Sequence, residues 1–179
     1  MRSILDFKDA PAREQVKVPA LRFGLEPALV AAFVMQESAG DPYAWRPEAK
    51  WRYYWDVKQN RPFRKLYPGE INSEVAPEDF PSLGGSGTQE WAAQAASWGL
   101  MQVMGAVARE RGFRGPYLTA LCDPPEGLSW GCQTLAYLLN RFGGGGISAY
   151  NAGSPCLGSK YEKSVLAWRD KLRPLFVST

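Results

Sequence analysis

The residue best placed to move a proton in this chain is Glu37. It closes an apolar run, Pro27-Ala-Leu-Val-Ala-Ala-Phe-Val-Met-Gln-Glu37. Phe33 and Val30 lie four and seven positions back, so the carboxyl shares a helix face with two large apolar side chains. A carboxyl there is partly desolvated, and desolvation raises its pKa by penalising the charged form. An acid that keeps its proton near neutral pH is able to give it to a leaving group. The plain alternative is an acid at a helix end pointing into solvent, the commoner fate of a glutamate.

Glu37 gains weight because the chain contains no histidine. A Ser-His-Asp triad, a Cys-His pair and a His-ligated zinc site are thereby excluded. Acid–base chemistry falls to carboxylates, Tyr, Lys or Cys. The three cysteines, Cys122, Cys132 and Cys156, form no CxxC pair. Four-cysteine zinc is impossible and a disulfide framework is not expected, although a Cys122–Cys132 bond in an oxidising compartment stays open. No metal site and no cofactor is expected.

The helix that carries Glu37 must start near Pro27, where the missing N–H costs nothing, and stop at Ala39-Gly40-Asp41-Pro42. Before it, residues 1–20 are polar and contain Pro11 and Pro19, which reads as an extended N-terminal arm. Residues 21–179 read as one mainly α-helical domain, long enough to bury about 70% of its unfolded surface. Within it, residues 45–88 change character. Trp45, Trp51, Tyr53, Tyr54, Trp55, Phe63 and Tyr67 alternate with arginines and lysines, followed by prolines and Gly84-Gly85-Ser86-Gly87. This is read as an irregular insertion or flap with a short hairpin around Trp51–Val57. Helix is expected again at Gln89–Ser97 and Met104–Arg111, then over Pro125–Phe142, the strongest amphipathic pattern in the chain. The Gly143–Gly146 run lacks a Gly-Lys-Ser/Thr ending and is read as a helix stop rather than a phosphate cradle. Short and longer helices are expected at Ile147–Ala152 and Lys160–Leu172.

Three distant segments have the composition of active-site walls: Gln36-Glu37-Ser38, Gly99-Leu100-Met101-Gln102 and Ala149-Tyr150-Asn151-Ala-Gly153. In this order, with Tyr161-Glu-Lys-Ser-Val165 at the end, they resemble the soluble lytic transglycosylases of the lysozyme-like superfamily. The resemblance covers residues 20–45 and 95–172. It implies a lysozyme-like helical domain that cuts peptidoglycan between N-acetylmuramic acid and N-acetylglucosamine, leaving a 1,6-anhydro end. It assigns Glu37 as the single catalytic acid/base and Ser38 as its usual neighbour. Gly99, Leu100, Met101 and Gln102 match the stretch lining the glycan groove. Tyr150 and Asn151 match the pair facing the acid, and Tyr161 matches a position on the last helix.

A one-acid mechanism needs a second nucleophile, which the substrate's own N-acetyl group supplies in substrate-assisted glycosidases. Tyr150, Asn151 and Gln102 are expected to hold the acetamide and sugar hydroxyls. Each also has a plain reading: Leu100 and Met101 as core, Tyr150 as a buried aromatic whose hydroxyl caps a backbone group, Asn151 as a helix-end residue, Gln102 as a surface amide and Ser38 as a cap.

The chain departs from the family in two places. The segment between Glu37 and Gly99 is much longer than the family's compact form, and Val103-Met104-Gly105 replaces a Pro-containing turn. The insertion's aromatics stack on sugars or form a small core of their own; both stay open. A goose-type lysozyme that adds water to the same bond, and a non-catalytic glycan-binding module, are the rival readings. A net charge of +3 is mild and selects no nucleic acid, for which no binding motif is present. The expected partner is the glycan strand, met by a monomer. The first residues show no secretion signal, and the longest apolar run, Ala28 to Met35, is far short of the roughly 20 residues of a membrane span. The expectation is synthesis in the cytoplasm and action on wall peptidoglycan, as a phage-type lysin or a virion-associated protein.

Overall fold

A computed structural model describes residues 5–177. The mainly α architecture expected from the pattern is the one that forms. Two helices open the chain, α1 (Ala10–Arg22) and α2 (Pro27–Ser38). The extended-arm reading of residues 1–20 therefore needs correction, apart from residues 1–4, which lie outside the described residues. Ala12, Val16 and Ala20 recur every fourth position and are buried against the main core. The two prolines misled the reading. Pro11 sits in the first turn, where no N–H partner is needed, and Pro19 is tolerated inside the helix because this stripe is buried.

Helix α2 is the hub of the core. Residues 28–34 are all buried, and Val30 through Val34 have no exposed surface. A helix apolar on every side has to be surrounded, and α1 and α7 (Lys160–Leu172) pack on it. It ends where Ala39 turns left-handed at φ 50.

After α2 comes strand β1 (Trp45–Pro47), then the insertion with its hairpin β2 (Trp55–Asp56) and β3 (Arg61–Pro62). The hairpin lies a few residues beyond its expected position. Asp56 Oδ1 accepts from Lys58 N and Gln59 N, each at 2.9 Å, and so makes the turn. The insertion has a core of its own: Tyr54 stacks on Trp91 at 3.7 Å, with Phe80 and Phe63 edge-on. It is fastened to α3 (Gly87–Gln94) by Gln94, whose amide accepts from Trp55 N at 2.8 Å and donates to Trp55 O at 3.0 Å. Arg64 adds a fork to Glu70 and Asp79.

The helix expected over Gln89–Ser97 ends at Gln94. Beyond it β4 (Ala96–Trp98) and β5 (Val103–Met104) form a hairpin, and β1 adds antiparallel to β4. Trp45 faces Trp98 and Arg46 faces Ser97. Pairing across half a hundred residues overrides local helical preference. The chain then continues through α4 (Gly105–Glu110), a 3-10 turn at Leu118–Cys122 and α5 (Pro124–Phe142). Gly143 ends α5 at φ 56, the expected stop, and α6 (Gly146–Ala152), α7 and α8 (Pro174–Val177) complete the order. Cys122, Cys132 and Cys156 are all free thiols. No single helix among the described residues is long and apolar enough to cross a membrane.

Candidate active site

The last turn of α2 brings Glu37 to the surface of the core, where it is partly buried. The Tyr161 hydroxyl, reaching over from α7, donates to Glu37 Oε1. One position before the acid, Gln36 Oε1 accepts from Ser164 on the same helix at 2.6 Å. Burial pushes the Glu37 carboxyl above its usual pKa, and the Tyr161 hydrogen bond and the positive charge of Arg46 offset part of that rise. Burial and the Glu37 charge together keep Tyr161 and Tyr150 firmly protonated, so both act as neutral phenols.

The distant segments are bound together by hydrogen bonds. Ser38 Oγ donates to Leu100 O at 2.8 Å, which ties the end of α2 to the β4–β5 turn. Tyr150 Oη donates to Met101 O at 2.8 Å, which ties α6 to the same turn. Phe33 underlies both tyrosines, with ring centroids at 4.9 Å from Tyr150 and 6.3 Å from Tyr161. The arrangement is an acid on a rigid floor, bracketed by two phenols and a hydrogen-bonded turn.

The turn itself is structural in its side chains. Leu100 and Met101 are core, and Gln102 is buried. The Gln102 amide donates to Ala44 O and Gly99 O, each at 3.0 Å, and accepts from Ser97 Oγ at 3.1 Å. The reading of Gln102 as a sugar-holding amide therefore gives way to one in which it locks β1 onto the turn. Ser38 likewise ties backbone, with its hydroxyl also taking Gly40 N at 3.2 Å. Asn151 differs from these: it stands exposed on the last turn of α6, beside Tyr150.

Gly99 makes the turn possible. Its φ is +70, and a Cβ there would stand 2.2 Å from Leu121 O. Gly99→Ala is expected to cost well over the roughly 1–2 kcal/mol of left-handed backbone strain alone, because the clash adds to it. A thermal melt checks this, with a shift of under about 2 °C counting against it.

Arg46, one of many cations in the insertion's sequence, belongs to the electrostatic surroundings of Glu37. It reaches Glu37 electrostatically because β1 pairs with β4 just ahead of the wall turn, and it is held by Glu48 Oε1 at 2.7 Å. No spacing rule reveals a neighbour that long-range pairing creates. Among the described residues, no group of three or more His, Cys, Asp or Glu side chains gathers where a metal ion would sit.

A family model described as "Transglycosylase SLT domain" matches residues 14–167, nearly the whole chain and including most of α1. Curated proteins and solved structures gave no match. Matched over most of its length, the chain belongs to the SLT transglycosylase domain family, whose members are peptidoglycan lytic transglycosylases of the lysozyme-like superfamily.

Proposed function

We propose that Glu37 is the single acid/base that cleaves the β-1,4 bond between N-acetylmuramic acid and N-acetylglucosamine. The observation that carries this reading is a partly buried carboxyl with a raised pKa, held by Tyr161 where three distant segments meet. The charged and phenolic groups acting on its titration are Arg46 and Tyr161. That is the environment of a proton donor, whereas a paired-carboxylate site would set one acid against another.

In the first step the Glu37 proton passes to the glycosidic oxygen as its bond to C1 breaks. The acetamide oxygen of the muramic residue closes on C1 from the other face. In the second step the Glu37 carboxylate takes the C6 hydroxyl proton, and O6 displaces the acetamide oxygen from C1. The acid ends protonated, the acetamide is restored, and no water is consumed. Asn151, exposed beside Tyr150, is assigned to the sugar's polar edge. Tyr150 and Tyr161 orient the acid and the wall, where correct placement contributes several kcal/mol.

Mass spectrometry of muropeptides released by the wild type and by Glu37→Gln tests the proposal. Anhydro ends that vanish with the substitution support it. Reducing ends would instead show hydrolysis of the same bond, and release of no fragments by the wild type would show a binding module. A second test follows from the Tyr161 contact, which lowers the Glu37 pKa. Tyr161→Phe removes that lowering, so Glu37 stays protonated to higher pH. The alkaline limb of kcat/KM is then expected to move upward in pH, even as kcat falls. A limb that stays in place would separate Glu37 from the proton donor.

A further inference from the structure

Two adjoining cavities form a trough along the face of the sheet that carries Trp45 and Trp98. Side chains alternate along β1. Arg46 and Ser97 share the side of Gln102 and Glu37, so the opposed pair Trp45 and Trp98 share the other, with ring centroids at 6.1 Å. On that far side one cavity of about 310 Å³ is bounded by Trp45, Trp98, Tyr117 and Gln89. A second, of about 540 Å³, is bounded by Trp45, Trp51, Arg52 and Asn72. Trp45 and Ala92 line both, so the two adjoin across the Trp45 ring.

Trp45 is 57% exposed and Tyr117 54% exposed. Large aromatics are usually well covered, and an exposed apolar patch with a polar rim marks a contact surface. Tyr54 and Phe80 of the insertion are buried with Trp91 of α3, whereas the Trp45 and Tyr117 rings stay open.

We propose that this trough is a second glycan-binding site, which holds a strand of the wall polymer at a distance from the point of cleavage. Indole and phenol faces suit the apolar C–H faces of pyranose rings, and the amides of Gln89 and Asn72, whose oxygens already accept from Ser86 N and Arg52, present their NH2 groups as donors to ring hydroxyls and acetamido oxygens. Arg52 shares the larger cavity with Glu48 and Glu74 and donates to Ala49 O and Asn72, so the attraction to an anionic polymer comes from the chain's net charge of +3 rather than from the lining. Two cavities that adjoin across one ring offer room for successive units of a polymer. Strand β1 carries the acid's neighbour Arg46 on one face and Trp45 on the other, so one long substrate is able to engage both sides. The inference rests on peptidoglycan as the substrate, not on Glu37 as the acid.

The test is co-sedimentation with purified insoluble peptidoglycan, using Glu37→Gln as the common background so that the polymer is not consumed. Adding Trp45→Ala or Tyr117→Ala is expected to weaken binding about tenfold, as loss of an aromatic anchor does. In the otherwise wild-type enzyme the same substitutions are expected to leave turnover of a short soluble glycan fragment within about twofold, and to slow digestion of intact sacculi. Thermal melts guard against misfolding. Should Trp45→Ala fail to fold, Tyr117→Ala, on an exposed ring outside the sheet, still carries the test. Unchanged co-sedimentation overturns the proposal, and so does an equal loss on short and intact substrates, which would make the trough part of the cleavage site. If the wild type releases no anhydro products but binding still depends on Trp45 and Tyr117, the Glu37 chemistry fails and the trough stands.

Discussion

Glu37→Gln is expected to slow the release of glycan fragments by about 10³-fold, the usual scale for removing a positioned general acid. The substitution keeps shape and volume. An amide oxygen still accepts from Tyr161, and Phe33 beneath is untouched. What it removes is the only transferable proton at that position. The same change carries a stability signature of opposite sign. A carboxyl whose folded pKa lies above its usual 4.5 binds its proton more tightly in the folded state. Its contribution to stability is therefore greatest at low pH and is lost as pH rises from 4.5 through the raised value. Glutamine has no such loss. The variant is expected to melt at or above the wild type at pH 8, with the gap closing near pH 4. Lost turnover with a maintained or higher melting temperature marks a residue kept for chemistry at the expense of stability. Retention of more than about a tenth of wild-type turnover would remove Glu37 from the acid role.

Much of the fold and of the candidate site is legible in the sequence, and the reasons differ by element. Helix α2 announces itself by an unbroken apolar run between a proline and a glycine. Helices α5 and α7 do so by their three- and four-residue spacing, information that lies within one segment. The three motifs are visible as motifs, but the structural part that Gln102 plays is not. Gln102 looks like a groove-lining amide, yet its partners are Ala44, Gly99 and Ser97, set by a hairpin that no local signal shows. The strands are two or three residues long, too short for an alternation pattern to stand out. Arg46 acquires its place beside Glu37 only through that pairing. Helix α1 was hidden by its prolines and by a stripe of alanines and one valine too small to read as a core face. The insertion's aromatics were left open between sugar stacking and a private core. Tyr54 takes the second course, stacked on Trp91 of α3, and Trp45 remains exposed.

Arg109→Met is expected to destabilise the fold by about 3–5 kcal/mol, the cost of breaking a buried ion pair from one side. Arg109 on α4 and Glu90 on α3 meet at 2.8 Å with side chains 0% and 2% exposed. The guanidinium also donates to Phe113 O at 3.1 Å and Gly115 O at 2.7 Å, and Glu90 accepts from Gln94 at 2.9 Å. Gln94 is the residue that clamps Trp55. The pair thus joins α3, α4, the loop after α4 and the insertion. Removing the arginine leaves a buried carboxylate with one remaining side-chain partner and two carbonyls short of a donor. For a chain of this size the melting temperature is expected to fall by roughly 10 °C. Glu90→Leu leaves the guanidinium both carbonyls, so its cost is expected to be smaller. The double variant Glu90→Leu/Arg109→Met is expected to recover part of the loss, because no buried charge is left unpaired. Recovery stays incomplete, since the Phe113 and Gly115 carbonyls still lack their donor. A double-mutant cycle by urea denaturation measures the coupling. Strictly additive single-variant losses would mean that the two charges do not stabilise each other.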